Sequence, residues 1–253
     1  MIDAHLHPPR LADVGGQIEA AAALGVTAFV MGGIDAADWA VQRDLAAADP
    51  RLLPCFGLHP AFVHGPQALE DLDAALDASR PVALGEIGLD RRVGPFDDQL
   101  PLLRAQLDRA RALDLPVVLH LVGGWEAFFD TLRRDGPLPA GGFVHAFSGS
   151  PPLALALHKA GLLLSFGGAL TRSPRAQAAA RALPAEALLI ETDAPDQPPQ
   201  RPPGAPIGAP CRPVDLAVIA SALAALRGVD PADLAATTAA NARRILRLTE
   251  PRP

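Results

Sequence analysis

Short apolar runs alternating with helix-like stretches most narrowly limit the folds open to this chain. Eight runs recur at near-even spacing: Met1–His5, Val26–Met31, Leu52–Leu58, Val82–Ile87, Pro116–His120, Gly142–Phe147, Leu162–Phe166 and Leu188–Glu191. Most are nearly continuous in apolar residues, as strands buried on both faces of a parallel sheet must be. Between them lie Ala-, Leu-, Arg- and acid-rich stretches such as Gly16–Ala23, Ala37–Ala48, Ala68–Ala78, Phe96–Leu113 and Pro152–Ala160. That alternation builds βαβ units. Eight of them in about 200 residues favour a closed (β/α)8 barrel of the TIM type over an open sheet. The chain's 253 residues match the size of one such barrel, so residues 1–253 are expected to form a single domain.

One stretch breaks the rhythm. Asp193 to Pro213 is proline-rich, and proline fixes φ and lacks an amide donor, which excludes helix and central strand. Val214–Leu248 holds only two helix patterns and no core of its own, so the stretch is expected to be a long functional loop at the barrel mouth, not a linker. The tail Thr249–Pro253 is expected to fray. Cys55 and Cys211 stand far apart and outside any CxxC pair, which suits free thiols in a reduced cytoplasm. The sequence contains no bilayer-spanning apolar run and no leader-like start. A net charge of −6 with one lysine, Lys159, offers no broad basic footprint for duplex DNA. Metal ions and local arginines can still supply positive charge at a site.

Polar residues recur where the predicted strands end. His5 and His7 are two apart, so on a strand both rings project from one face. Glu86, His120, His145 and Asp193 follow at or just past the ends of strands four, five, six and eight. Barrel active sites are built at that end, and an ionisable residue closing an apolar strand is costly to bury unless paired or metal-bound. A single such histidine is ordinarily packing. Six residues at equivalent positions point to a metal centre.

These residues sit in pieces whose order resembles the TatD family of metal-dependent deoxyribonucleases, within the amidohydrolase-like hydrolases. The pieces are Asp3-Ala-His-Leu-His7, Gly57-Leu-His-Pro60, Gly85-Glu-Ile-Gly-Leu-Asp90, the strand ending at His120, His145-Ala-Phe-Ser-Gly149, Glu191-Thr-Asp-Ala-Pro195 and Asn241-Ala-Arg-Arg-Ile-Leu246. The resemblance implies two divalent ions: one on His5, His7 and Asp193, the second on His120 and His145, with Glu86 bridging. Two such ions clamp the attacking and leaving oxygens of an in-line displacement and bring water toward its hydroxide near neutral pH. Asp193 would orient that water and take its proton. Imidazole-rich ligation suits Zn2+ or Mn2+, whereas the family implies Mg2+. His59 is either a turn histidine or a donor to the scissile phosphate. Asp3 is expected to brace a ligand histidine, and Glu191 either does the same or caps its strand. Trp125, Phe128 and Phe129 are read as helix packing, and His64 and His158 receive no role.

Substrate contacts depart from the resemblance. The family's arginine after the strand-five histidine is absent from His120-Leu-Val-Gly-Gly124, no aromatic follows Asp90, and the chain has no tyrosine. Asp196 stands where the family has an aromatic. Arg91, Arg92, Arg201 and Arg212 can offset the loss as phosphate contacts, or are ordinary solvated loop charges. The expected activity is a phosphodiesterase that removes nucleotides from single-stranded DNA, by a monomer or weak oligomer with no membrane partner. The alternatives are the same centre acting on an amide, lactone, aminoacyl ester or small phosphoester, and a non-catalytic metal-binding subunit.

Overall fold

A computed structural model describes residues 1–62, 64–200 and 208–248. Among them the strands are β1 (Ile2–Leu6), β2 (Ala28–Met31), β3 (Leu52–Phe56), β4 (Ala83–Asp90), β5 (Val117–Val122), β6 (Gly142–Val144), β7 (Leu162–Phe166) and β8 (Leu188–Ile190). The helices are α1 (Val14–Ala22), α2 (Ala36–Ala48), α3 (Ala68–Ala78), α4 (Phe96–Leu113), α5 (Trp125–Asp135), α6 (Pro151–Lys159), α7 (Pro174–Ala182), α8 (Leu216–Arg227) and α9 (Pro231–Leu246). Every apolar run named above overlaps a strand. Among these helices none is long and apolar enough to cross a membrane.

The chain packs as two compact units. The first takes Met1–Met31, His145–Arg244 and Leu248; the second takes Gly32–Val144 with Ile245–Arg247.

In the first unit β1 runs parallel to β2, with Ile2 opposite Ala28, and β7 runs parallel to β8, with Leu164 opposite Leu188. Beyond the strand ends, the Asp193 amide donates to the His5 carbonyl and the His7 amide to the Ala194 carbonyl, both at 2.8 Å. The core comes from the strands and the buried sides of α7 (Ala176, Ala179, Ala180) and α8 (Leu216, Ile219, Ala220, Leu223). That i, i+3, i+4, i+7 spacing is the apolar stripe a helix needs to lie on a sheet.

In the second unit β3, β4, β5 and β6 pair in parallel in that order. Helix α4 shows why its residues fold as they do. Asp97 and Asp98 occupy the positive N-terminal turn, Arg111 the last turn, and Leu103, Gln106, Leu107 and Ala110 form the buried stripe. Gly88 lies at φ +159°, and a Cβ there would stand 1.7 Å from the His120 carbonyl oxygen. Only glycine lets β4 approach β5 so closely. At the loop into α2, Asp38 is 8% exposed, and its Oδ2 accepts from the Ile34 amide (3.2 Å) and Gln42 Nε2 (2.7 Å). The Ile34 carbonyl accepts from the His59 amide (3.1 Å), and the Gly33 carbonyl from the Glu86 amide (2.7 Å). Two candidate site residues thus hang from one buried carboxylate's loop.

Asp193–Pro213 contains neither helix nor strand over 193–200 and 208–212. Its centre, with Arg201, and the tail 249–253 lie outside the described residues. Cys55 and Cys211 are buried thiols outside any disulfide among the described residues, and burial pushes the Cys55 thiol up.

Candidate metal centre

The first unit gathers His5, His7, His145, Glu191 and Asp193. His5 lies in β1 and His7 one residue past it, their rings perpendicular with centroids 4.9 Å apart. Asp193 follows β8 by three residues at φ +56°, a left-handed backbone that non-glycine residues rarely adopt. Its Oδ1 stands 3.8 Å from His5 Nε2 and 3.6 Å from His7 Nε2. These separations exceed hydrogen bonds and lie close to the ~3–3.5 Å between two ligands that each reach a shared ion at about 2.0–2.2 Å. All three side chains are buried, and their ligand atoms fall within 4.8 Å of one another. The His145 ring lies 4.2 Å from that of His5.

The supporting carboxylates Asp3 and Glu191 are equally buried. Glu191 Oε1 accepts from the Ala146 amide at 2.5 Å and stands 3.7 Å from His145 Nδ1, while its Oε2 has no hydrogen-bond partner among the described residues. A buried carboxylate oxygen left so is the acceptor a nearby cation stabilises. Asp3 meets the candidate ligand residue His5 at its backbone, its Oδ1 accepting from the His5 amide at 3.4 Å. Its oxygens accept from the Thr192 amide (2.8 Å) and hydroxyl (2.6 Å), which ties the start of β1 to the residue before Asp193. Burial pushes the Asp3 carboxyl up to about 8 against the opposing pull of the Thr192 bonds. Gln197 Nε2 donates to Asp193 Oδ2 at 2.7 Å.

The second unit gathers His59, Glu86, Asp90 and His120. His120 Nδ1 lies 2.7 Å from Glu86 Oε1 and Nε2 lies 2.9 Å from Asp90 Oδ2. His59 Nε2 is 3.1 Å from the same Glu86 oxygen. The Ala61 amide donates to His59 Nδ1 at 3.0 Å, so the neutral ring carries its proton on Nε2 and donates it toward Glu86. His59, Glu86 and His120 also bring their ligand atoms within 4.8 Å of one another. Burial alone would raise the Asp90 carboxyl, but the hydrogen bonds from His120 and Arg92 outweigh it and hold Asp90 well below the usual carboxylate range.

The chemistry of both donor sets, imidazoles beside carboxylates in buried positions, fits divalent ions. Glu86 and His120 do not close their strands as expected. β4 runs on to Asp90 and β5 to Val122, so both residues lie inside strands. Arg92 turns back onto Asp90, with its Nε 2.9 Å from Oδ1. Arg91 and Arg212 are exposed loop residues, Arg212 giving its amide to Asp215 Oδ2. Phe128 is fully buried, as helix packing requires. Sequence reasoning assigned no role to Asp90 or Gln197. For Asp90 a signal existed, since residues 86, 88 and 90 share a strand face; for Gln197 the surrounding prolines gave none.

Comparison with known proteins places this geometry. The model of the family described as TatD related DNase matches residues 2–247. An uncharacterized metal-dependent hydrolase of Escherichia coli K12, YjjV, is 36% identical over 208 residues, covering 78% of this chain and 80% of that protein. A 3'-5' ssDNA/RNA exonuclease, TatD, of Erwinia tasmaniensis is 32% identical over 241 residues, covering 91% and 92%. The crystal structure of YjjV superposes with a TM-score of 0.88 at 31% identity over 98% of both chains. The fold is therefore the expected (β/α)8 barrel, with its eight strands in sequence order. With the fold, the ordered motifs and the buried ligand groups in agreement, the chain belongs to the TatD related DNase family and is a metal-dependent hydrolase of the TatD type.

Proposed function

We propose that this hydrolase is a phosphodiesterase that removes nucleotides from single-stranded DNA, with two divalent ions held by His5, His7, Asp193, His145, Glu86 and His120. The observation that carries the reading is the His5–His7–Asp193 group, buried, with imidazole-to-carboxylate separations of 3.6 and 3.8 Å that suit a shared ion. The 32% identical Erwinia protein, named for ssDNA and RNA exonuclease activity, supports the substrate class. Zn2+, Mn2+ or Mg2+ bound there would supply Lewis acidity at the phosphoryl group and hydroxide near neutral pH.

The chain's own residues do the rest. Asp193 orients the attacking water and takes its proton. Glu86 fixes His120 through its Nδ1 and supplies the negative charge that holds a cation. His59, whose Nε2 proton faces Glu86 Oε1 at 3.1 Å, exchanges that acceptor for an oxygen of the scissile phosphate in this reading. Arg91 and Arg212 meet flanking phosphates, where guanidinium forks match the oxygens. In this reading residues 1–253 work as one barrel domain, in the cytoplasm, as a monomer or weak oligomer.

The test is a metal and pH series of the purified protein on labelled single-stranded DNA, run beside a panel of small esters, amides and lactones, with Glu86→Gln as control. Shortening of the DNA by the parent and none by the control supports the proposal. Intact DNA, with control-sensitive cleavage of a small ester or amide, overturns it.

A further inference from the structure

Asp193 has two carboxylate oxygens, and the first unit treats them differently. Oδ1 faces the imidazoles of His5 and His7 at 3.8 and 3.6 Å. Oδ2 receives the side-chain amide of Gln197 at 2.7 Å. An amide donor on Oδ2 takes one of that oxygen's two lone-pair sites and fixes the rotation of the carboxylate, so that Oδ1 is the oxygen turned to the imidazoles.

Gln197 does not reach that position by a loose swing of a surface side chain. Its backbone lies at φ +49°, in the left-handed region. The residues after it are clasped by the short turn Gly168–Thr171, which follows β7. The Arg172 guanidinium donates to the Pro198 carbonyl (2.6 Å) and to the Gly168 carbonyl (3.1 Å). The Gln200 amide donates to Thr171 Oγ1 at 2.7 Å, and that hydroxyl donates to the Gly168 carbonyl at 2.7 Å. A Cβ on Gly168 would stand 1.9 Å from the Gln197 carbonyl oxygen, so the clasp closes only over glycine. These four hydrogen bonds and one steric vacancy hold a strained residue so that its amide meets one carboxylate oxygen. Strain of this kind persists where the surroundings over-determine it, and it concentrates at functional sites.

We infer that Gln197 is a positioning residue that fixes the rotation of the Asp193 carboxylate, so that Asp193 is a one-oxygen ligand through Oδ1 while the second lone-pair site of Oδ2 stays open to the proton of the attacking water. The inference rests on the reading of Asp193 as a metal ligand. Its chemical consequence is a lower donor count at the first ion, which leaves a coordination position for substrate or water. Partners that orient a ligand in this way change metal affinity or activity by 10–100-fold when removed.

The experiment compares the parent with Gln197→Met, which keeps the shape and loses the donor, and Arg172→Met, which opens the clasp. Mn2+ affinity and stoichiometry are read by calorimetry on metal-stripped protein. Visible absorption of the Co2+ form is read beside them, since its intensity falls as coordination number rises. The expected result is a 10–100-fold change in Mn2+ affinity for one ion in Gln197→Met, with a weaker Co2+ band, unchanged circular dichroism and a change in kcat larger than in KM. Arg172→Met should move the same quantities in the same direction, and the double variant should show no further change. A parent that binds Mn2+ beside a Gln197→Met variant with the same affinity and Co2+ spectrum overturns this inference alone. A parent that binds no divalent ion overturns it together with the proposed function.

Discussion

Replacing Asp38 by Asn should stabilise the protein, and only above the pH at which the carboxyl begins to ionise in the unfolded chain. Asp38 is buried, and desolvation pushes its carboxyl from 3.8 up to about 6, against the pull of its bonds from Gln42 and Ile34. A folded-state pKa above the unfolded one means the folded protein holds more protons between pH 4 and 6. Stability is then fully present below about pH 4 and is lost as pH rises through 6. A shift of about two units corresponds to roughly 3 kcal/mol of lost stability at pH 7.5. Asn removes the ionisation and preserves the contacts, because both donors converge on Oδ2 and an amide oxygen in that place accepts both. Urea unfolding of both proteins at pH 4.5 and 7.5 measures the effect. The difference in free energy should grow from near 1 kcal/mol or less to about 3 kcal/mol across that interval. A difference equal at the two pH values would falsify the account of Asp38 as a destabilised buried acid.

Three further outcomes follow from geometry. Gly88→Ala should cost more than ~4 kcal/mol or abolish soluble expression, since the new methyl would overlap the His120 carbonyl oxygen at 1.7 Å; a thermal midpoint like the parent's would refute the close approach of β4 and β5. Leu84→Ala, at a fully buried β4 position, should lower unfolding free energy by about 2–5 kcal/mol in urea titration. Removal of divalent ions by a chelator, then dialysis, should abolish hydrolysis, and Mn2+ should restore it; full activity in stripped protein, verified by elemental analysis, would contradict both donor sets.

Much of the fold was legible because parallel strands and amphipathic helices write their periods locally. The bounds of α3, α4 and β7 coincide with the runs read from sequence. The apolar run Val82–Ile87 stops short of Gly88. The glycine serves the approach to His120, and the strand continues to Asp90. The histidines and carboxylates of the site were legible for a related reason: ionisable residues stand out in apolar runs. What could not be read was pairing at long range. Asp3 meeting Thr192, and Gln197 meeting an oxygen of Asp193 under a clasp built around residue 168, depend on turns whose conformations no local pattern encodes. Arg92 was legible as a charge, but not as a side chain that folds back on the carboxylate two residues before it.

The hydrogen bonds that seat Asp193 beside His5 and His7 join segments far apart in sequence, since β1 spans Ile2–Leu6 and β8 spans Leu188–Ile190. During synthesis β1 meets β2 early, but His5 and His7 wait for their partners at residues 193 and 194, whereas the second unit draws chiefly on the continuous stretch 32–144 and on contacts closer in sequence. Loop-closure entropy sets the same order in refolding: the nearer contacts of the second unit form at smaller entropic cost than the β1–β8 closure. In the proposed reading, ion capture by His5, His7 and Asp193 would follow that closure, and the bound metal would report its completion.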